Sequence, residues 1–148
     1  MKGTIICIGN RFIAEDAAGL EVFEILQARR PLPVGIDLVE GGLVGLNLLP
    51  FLEQGGRVVF IDTVKGFTKE GEIILLSHQE ILQASGQFHH DHGAGLPYLL
   101  TVFPKVCDGE PPEEIVLLGL EGKCGAKTLK KAAQMSIAIA VNGLRGLS

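Results

Sequence analysis

The sequence predicts an α/β fold: a three-layer α/β/α sandwich around a mostly parallel five-stranded sheet with one antiparallel strand. Three observations carry this. Five short apolar runs alternate with stretches of helical spacing, the pattern of a doubly wound sheet between helices. The first run, Thr4-Ile5-Ile6-Cys7-Ile8, is near-continuously apolar, as a strand covered on both faces is. Three of the runs lead to an acid at the strand end: Asp16 after the first, Glu40 after the second, Asp62 after the third.

Taken in order, residues 3–8 form the first strand, and Gly9 to Gly19 is a strand-to-helix turn carrying Glu15 and Asp16. The first helix runs from Asp16 to Arg30, where Pro31 and Pro33 end it. Val34 to Val39 is a second strand, finishing in Glu40-Gly41-Gly42. Leu43, Leu46, Leu49 and Leu52 repeat at three-residue spacing and predict a second helix, kinked or shortened by Pro50. Gly55-Gly56 breaks the chain before the strand Arg57 to Asp62. Gly71 to Leu76 reads as a short strand that pairs antiparallel at an edge, because so few residues precede it. Ser77-His78-Gln79-Glu80 has the form of a capping box opening a short helix to Ala84. Ser85 to Ala94 is a loop holding Phe88-His89-His90-Asp91-His92-Gly93. Gly95 to Phe103 is a helix with Pro97 in its first turn, Ile115 to Leu120 a buried strand. The last helix keeps Leu129, Ala132, Ala133, Ser136, Ile137, Ala140, Val141 and Leu144 on one face.

Neither an internal repeat nor a linker appears, so residues 1–148 read as one domain. A hydrophobic content of 47% with 5% aromatic residues points to an aliphatic core. The net charge of −4 offers no electrostatic footprint for nucleic acid. No run approaches the roughly 20 apolar residues of a membrane span, and the start, Met1-Lys2-Gly3-Thr4, does not show the long apolar segment and small-residue cleavage site expected of a signal peptide. Three widely spaced cysteines, Cys7, Cys107 and Cys124, suit a reduced cytoplasmic protein. A monomer is expected.

Right-handed crossovers and strand order 2-1-3 put the first and third strands side by side. The switch point, where open parallel sheets bind ligands, then lies between Asp16 and Asp62. Two acids there repel phosphate and invite a cation or a proton-transfer role. Each alone is equally well read as a helix N-cap; their shared location favours function. The histidine loop has a plain reading as solvated surface, but imidazole with two carboxylates also suits nickel or zinc. Glu15 can be a first-turn acid favoured by the helix dipole, and Glu40 can simply finish a turn. Cys124 precedes a helix start that would favour a thiolate, although a small residue in a tight turn explains it as well. Gly-x-Ser-x-Gly, Walker A and Gly-x-Gly-x-x-Gly motifs are absent.

These residues together resemble the maturation endopeptidases of nickel-iron hydrogenases. Gly9 to Gly19 is similar to the family's first motif, Gly-Asn-x-x-x-x-Asp-Asp/Glu-x-x-Gly, with Glu15-Asp16 as its acidic pair. Glu40-Gly41-Gly42-Leu43-Val44-Gly45 resembles its Asp-Gly-Gly-Thr-x-Gly, with Glu40 for aspartate and Leu43 for threonine. Asp62 matches the third-strand aspartate, and His92-Gly93-Ala94-Gly95-Leu96 the His-x-x-Gly-Leu element. Ala17 stands where many members carry glycine, and the segment Glu121 to Gly125 is shorter than the family's connection.

The resemblance implies that Asp16, Asp62 and His92 are the catalytic and nickel-contacting residues. It also implies an aspartyl-type peptidase that trims the C-terminal extension of a hydrogenase large-subunit precursor after nickel insertion. The nickel would belong to the substrate rather than stay as a permanent cofactor. Two other readings of the same residues are a non-enzymatic nickel-binding chaperone of hydrogenase assembly and a thiol hydrolase built on Cys124.

Overall fold

The structure, a computed structural model, describes residues 2–10, 12–43, 45–84 and 95–147. Five strands form one sheet: β1 (Gly3–Ile8), β2 (Ile36–Gly42), β3 (Arg57–Val64), β4 (Ile73–Ser77) and β5 (Glu114–Glu121). Among the described residues four α-helices flank it: α1 (Ala18–Ala28), α2 (His78–Gln83), α3 (Gly95–Val106) and α4 (Ala126–Asn142). The strand order is β2-β1-β3-β5-β4. All pairs are parallel except β4 with β5, so the expected mixed sheet and the neighbouring first and third strands are both observed. β4 does not pair with its sequence neighbour β3; β5 inserts between them and takes β4 on its outer side.

Alternate strand residues feed two separate cores, as the two-residue period of a pleated sheet requires. Ile5, Cys7, Val59, Ile61, Val116 and Leu118 meet α1 and α4 on one face. Ile6, Val58, Phe60 and Leu117 meet Leu52, Ile81, Leu96 and Leu100 on the other. Burying a side chain such as Phe60, wholly inaccessible here, stabilises the fold by roughly 2–3 kcal/mol.

Several boundaries differ from the sequence reading for identifiable reasons. Ahead of α1 lies a separate 3₁₀ turn, Ala14–Asp16, so Asp16 precedes the helix rather than opening it. The leucines spaced by three form a 3₁₀ helix, Leu46–Leu52, with Pro50 inside. A period of three is the 3₁₀ period, not the α period. β2 extends through Gly41 and Gly42, with a register shift where Cys7 pairs with Glu40 but Ile8 with Gly42. β3 continues two residues past Asp62. On α4, Ile139 is buried where Val141, expected inward, is 40% exposed. The capping box holds: Ser77 Oγ accepts the Glu80 N–H at 3.2 Å, and Glu80 Oε1 accepts the Ser77 N–H at 2.9 Å. Among the described residues no helix is long and apolar enough to cross a membrane.

Candidate active site

The turn after β1 is built by main-chain closure. Asn10 N–H donates to the Asp16 carbonyl at 3.0 Å, and Asp16 N–H to the Ile13 carbonyl at 2.9 Å. Asn10 Oδ1 accepts the Phe12 N–H at 2.9 Å, the side-chain turn that asparagine forms readily. Two glycines let this loop lie close to the sheet. A β-carbon on Gly9 would sit 2.6 Å from the Asp16 carbonyl oxygen. One on Gly19 would sit 2.1 Å from the Ile8 carbonyl oxygen and 2.9 Å from that of Ile61. The start of α1 is thus laid across the carboxyl ends of β1 and β3. Gly9 N–H also donates to the Gly42 carbonyl at 2.9 Å, tying the end of β2 to the same loop. The spacing Gly-Asn…Asp…Gly is therefore a steric and hydrogen-bonding specification for placing Asp16.

Asp62 reaches the same place from β3. The β1–β3 ladder ends at the pair Cys7–Ile61, so Asp62 is one residue beyond it, with Gly119 of β5 on its other side. Asp16 and Asp62 are each 7% exposed. Asp62 Oδ1 accepts the Thr63 N–H at 2.8 Å. Burial, and then the neighbouring charge of Asp16, raise the Asp62 carboxyl well above the usual carboxylate range, against the opposing effect of the Thr63 N–H. Two like charges brought together in a poorly solvated place raise the proton affinity of one of them. The arrangement can accept a cation in exchange for that proton, or exchange a proton with a bound substrate.

The other residues singled out in the sequence fall into distinct positions. Glu15 is exposed in the 3₁₀ turn, and Glu40 is exposed on β2 opposite Cys7. Cys7 is fully buried core, its thiol pushed up by burial and by Glu40. Cys124 is half-buried, and desolvation followed by the charges of Glu21, Glu70 and Glu121 raises its thiol too. That is the reverse of what a cysteine nucleophile needs, and it removes support from the thiol-hydrolase reading. His92, with His89 and His90, lies outside the described residues. Among the described residues no three His, Cys, Asp or Glu side chains gather closely enough to hold a metal.

One buried acid was not singled out. Glu121, at the end of β5 and 7% exposed, also obeys the strand-end rule that selects Glu40 and Asp62. Its carboxylate is committed to the main chain: Oε2 accepts the Gly66 N–H at 2.9 Å, and Oε1 accepts those of Phe67 and Thr68 at 2.9 and 3.0 Å. It clamps the loop that leaves β3 after Val64.

Known proteins share this sequence pattern and fold. The chain is 24% identical over 118 residues to the hydrogenase expression/formation protein HupD of Bradyrhizobium diazoefficiens, covering 79% of this chain and 60% of that protein. It is 24% identical over 121 residues to the hydrogenase 2 maturation protease of Escherichia coli (strain K12), covering 81% of this chain and 73% of that one. The solved hydrogenase maturating endopeptidase HybD from E. coli shares the fold, with a TM-score of 0.76 at 20% identity over 100% of this chain and 94% of that chain. The NiFe hydrogenase maturation protease HybD from Thermococcus kodakarensis gives a TM-score of 0.64 at 25% identity, covering 95% of this chain and 97% of that chain. A family model described as hydrogenase maturation protease matches residues 20–144, well over half of the sequence, and this chain therefore belongs to the hydrogenase maturation protease family.

Proposed function

We propose that this protein is an endopeptidase that removes the C-terminal extension of a nickel-iron hydrogenase large-subunit precursor once nickel is in place. The observation that carries the reading is the buried pair Asp16 and Asp62 at the switch point of a maturation-protease fold. The nickel belongs to the substrate. Carboxylates and an imidazole are a donor set that suits such a borderline ion. Asp16 and Asp62 supply the carboxylates, and His92, which precedes α3 in the sequence, is the imidazole we assign to the set.

Burial and the neighbouring Asp16 charge favour a proton on Asp62 in the resting pair. An arriving cation displaces that proton and aligns the adjoining peptide bond against the crevice. A carboxylate of the pair then lies where it can take a proton from the attacking water. With so few donors the crevice holds a free ion weakly, which leaves it open to sense the ion carried by the precursor. We further assign the protein to the cytoplasm as a monomer without a nucleic-acid partner; Cys7, Cys107 and Cys124 are all free thiols.

The test is mass spectrometry of a candidate nickel-loaded large subunit incubated with and without this protein. Loss of the C-terminal extension only in its presence is the expected result. A precursor that binds the protein and its nickel yet releases no peptide would identify an assembly chaperone instead.

A further inference from the structure

The outer edge of β2, which pairs with no other strand among the described residues, has the features of a site for extended peptide. An open groove of about 770 Å3 lies along it, lined on one side by Leu32 and Leu38 and on the other by Val39 and Phe51. Leu32 and Leu38 pack on the core beneath α1 and α4, Val39 and Phe51 on the opposite core. Consecutive strand residues point to opposite faces of a sheet. A single groove touched by both Leu38 and Val39 must therefore wrap the strand edge itself.

That edge presents main chain. Gly3 N–H donates to the Gly35 carbonyl at 2.9 Å, whereas Ile36 N–H turns away to the Pro33 carbonyl at 3.1 Å. By the same two-residue period, Leu38 directs its N–H and C=O away from β1 and into the groove. The edge also leads to the acid pair. Gly42, the last residue of β2, is bonded to Gly9 of the loop that carries Asp16. The opposite edge, β4, is separated from the β1–β3 crevice by β5.

We propose that β2 is an exosite that takes an extended segment of the precursor's C-terminal extension as a sixth strand. The inference rests on the peptidase reading above. Its direction follows from the geometry. The extension starts at the scissile bond, in the crevice at the carboxyl end of β2, and leaves toward the amino end. It therefore pairs antiparallel to β2. Half-buried Leu38 and Phe51 on either side of the edge favour apolar side chains on both faces of the added strand.

The test uses the full chain, the nickel-loaded precursor and a synthetic peptide of about ten residues from the extension, enough to follow β2 at roughly 3.3 Å per residue. Leu38→Pro deletes an outward N–H without taking a bond from the β1–β2 ladder, a position where sheet edges accept proline. It should raise KM for the precursor about tenfold with kcat retained, while Leu38→Ala, which keeps the N–H, should cost no more than about threefold. In the wild type the peptide should shift the β2 amide resonances and slow hydrogen exchange at Leu38. An unchanged KM in a folded Leu38→Pro chain, equal KM changes in both variants, or amide shifts confined to other strands would each overturn the proposal. So would a wild-type dimer that Leu38→Pro dissociates, since the edge would then serve a second copy. The amide readout needs no cleavage: a protein that takes the peptide along β2 but trims no precursor would contradict the peptidase reading and leave the exosite standing.

Discussion

Asp16 and Asp62 arise from different segments, a 3₁₀ turn after β1 and the interior of β3, yet the charge of Asp16 raises the proton affinity of Asp62. Both are buried at the end of the β1–β3 ladder. A protein selected only for stability gains nothing from two such acids side by side, and the consequences of keeping them can be measured.

The first is a pH dependence of stability. Folding favours protonated Asp62, so this contribution is fully present below the ordinary Asp value of 3.8 and is lost as pH rises through the raised folded value. Asp62→Asn keeps the shape and the acceptor for Thr63 N–H but cannot ionise. The variant should have a higher Tm than the wild type at neutral pH, by about 2–4 °C for each kcal/mol relieved, and the two should converge near pH 4. Thermal unfolding followed by circular dichroism across that range decides it. A variant less stable than wild type at neutral pH would mean that Asp62 is held by favourable contacts.

The second concerns Gly19. Its Ala variant places a methyl 2.1 Å from the Ile8 carbonyl oxygen, a clash between two main-chain segments that no rotamer relieves. The cost should be about 2–3 kcal/mol, a fall in Tm of roughly 4–12 °C, with processing impaired because the loop bearing Asp16 shifts with α1. Wild-type stability in Gly19→Ala would show that the contact between α1 and the strand ends is looser than described.

Glu121 offers the contrasting expectation. Removing its carboxylate with Glu121→Ala leaves the amides of Gly66, Phe67 and Thr68 without their acceptor and should cost on the order of 2 kcal/mol. Folded Glu121→Gln should still trim precursor at a kcat within about threefold of wild type. Complete loss of kcat in a folded Glu121→Gln chain would give this acid a role in the chemistry.

Much of this arrangement is legible in the sequence because it is local. The Gly9, Asn10, Asp16 and Gly19 spacing encodes one turn, and apolar runs joined by helical patterns dictate the order β2-β1-β3. What escapes is whatever long-range pairing decides. β4 lies beside β5 because β5, more than 30 residues later in the chain, fills the place next to β3. The strand-end rule selects acids without separating Asp62, which is buried beside Asp16, from Glu121, which faces the amides of a returning loop. Three-residue leucine spacing reads as helix, and that period together with Pro50 points to the tighter 3₁₀ form observed.

The histidine assignment is tested on its own. Of His89, His90 and His92, only His92 has glycine and leucine at the spacing that leads into α3. His92→Ala should abolish the binding of nickel or cadmium measured by titration, whereas His89→Ala should leave it mostly intact. Equal losses would mean that the loop coordinates as a cluster.

The most direct measurement is processing of one large-subunit precursor in two states, nickel-loaded and nickel-free, by wild-type protein and by Asp62→Asn, with the products weighed by mass spectrometry. Wild-type protein should trim the nickel-loaded form alone, and the Asn variant, folded and at least as stable, should trim neither. Cleavage of nickel-free precursor at the wild-type rate, or processing by Asp62→Asn as fast as wild type, would contradict a peptidase that acts through this acid pair on its substrate's metal.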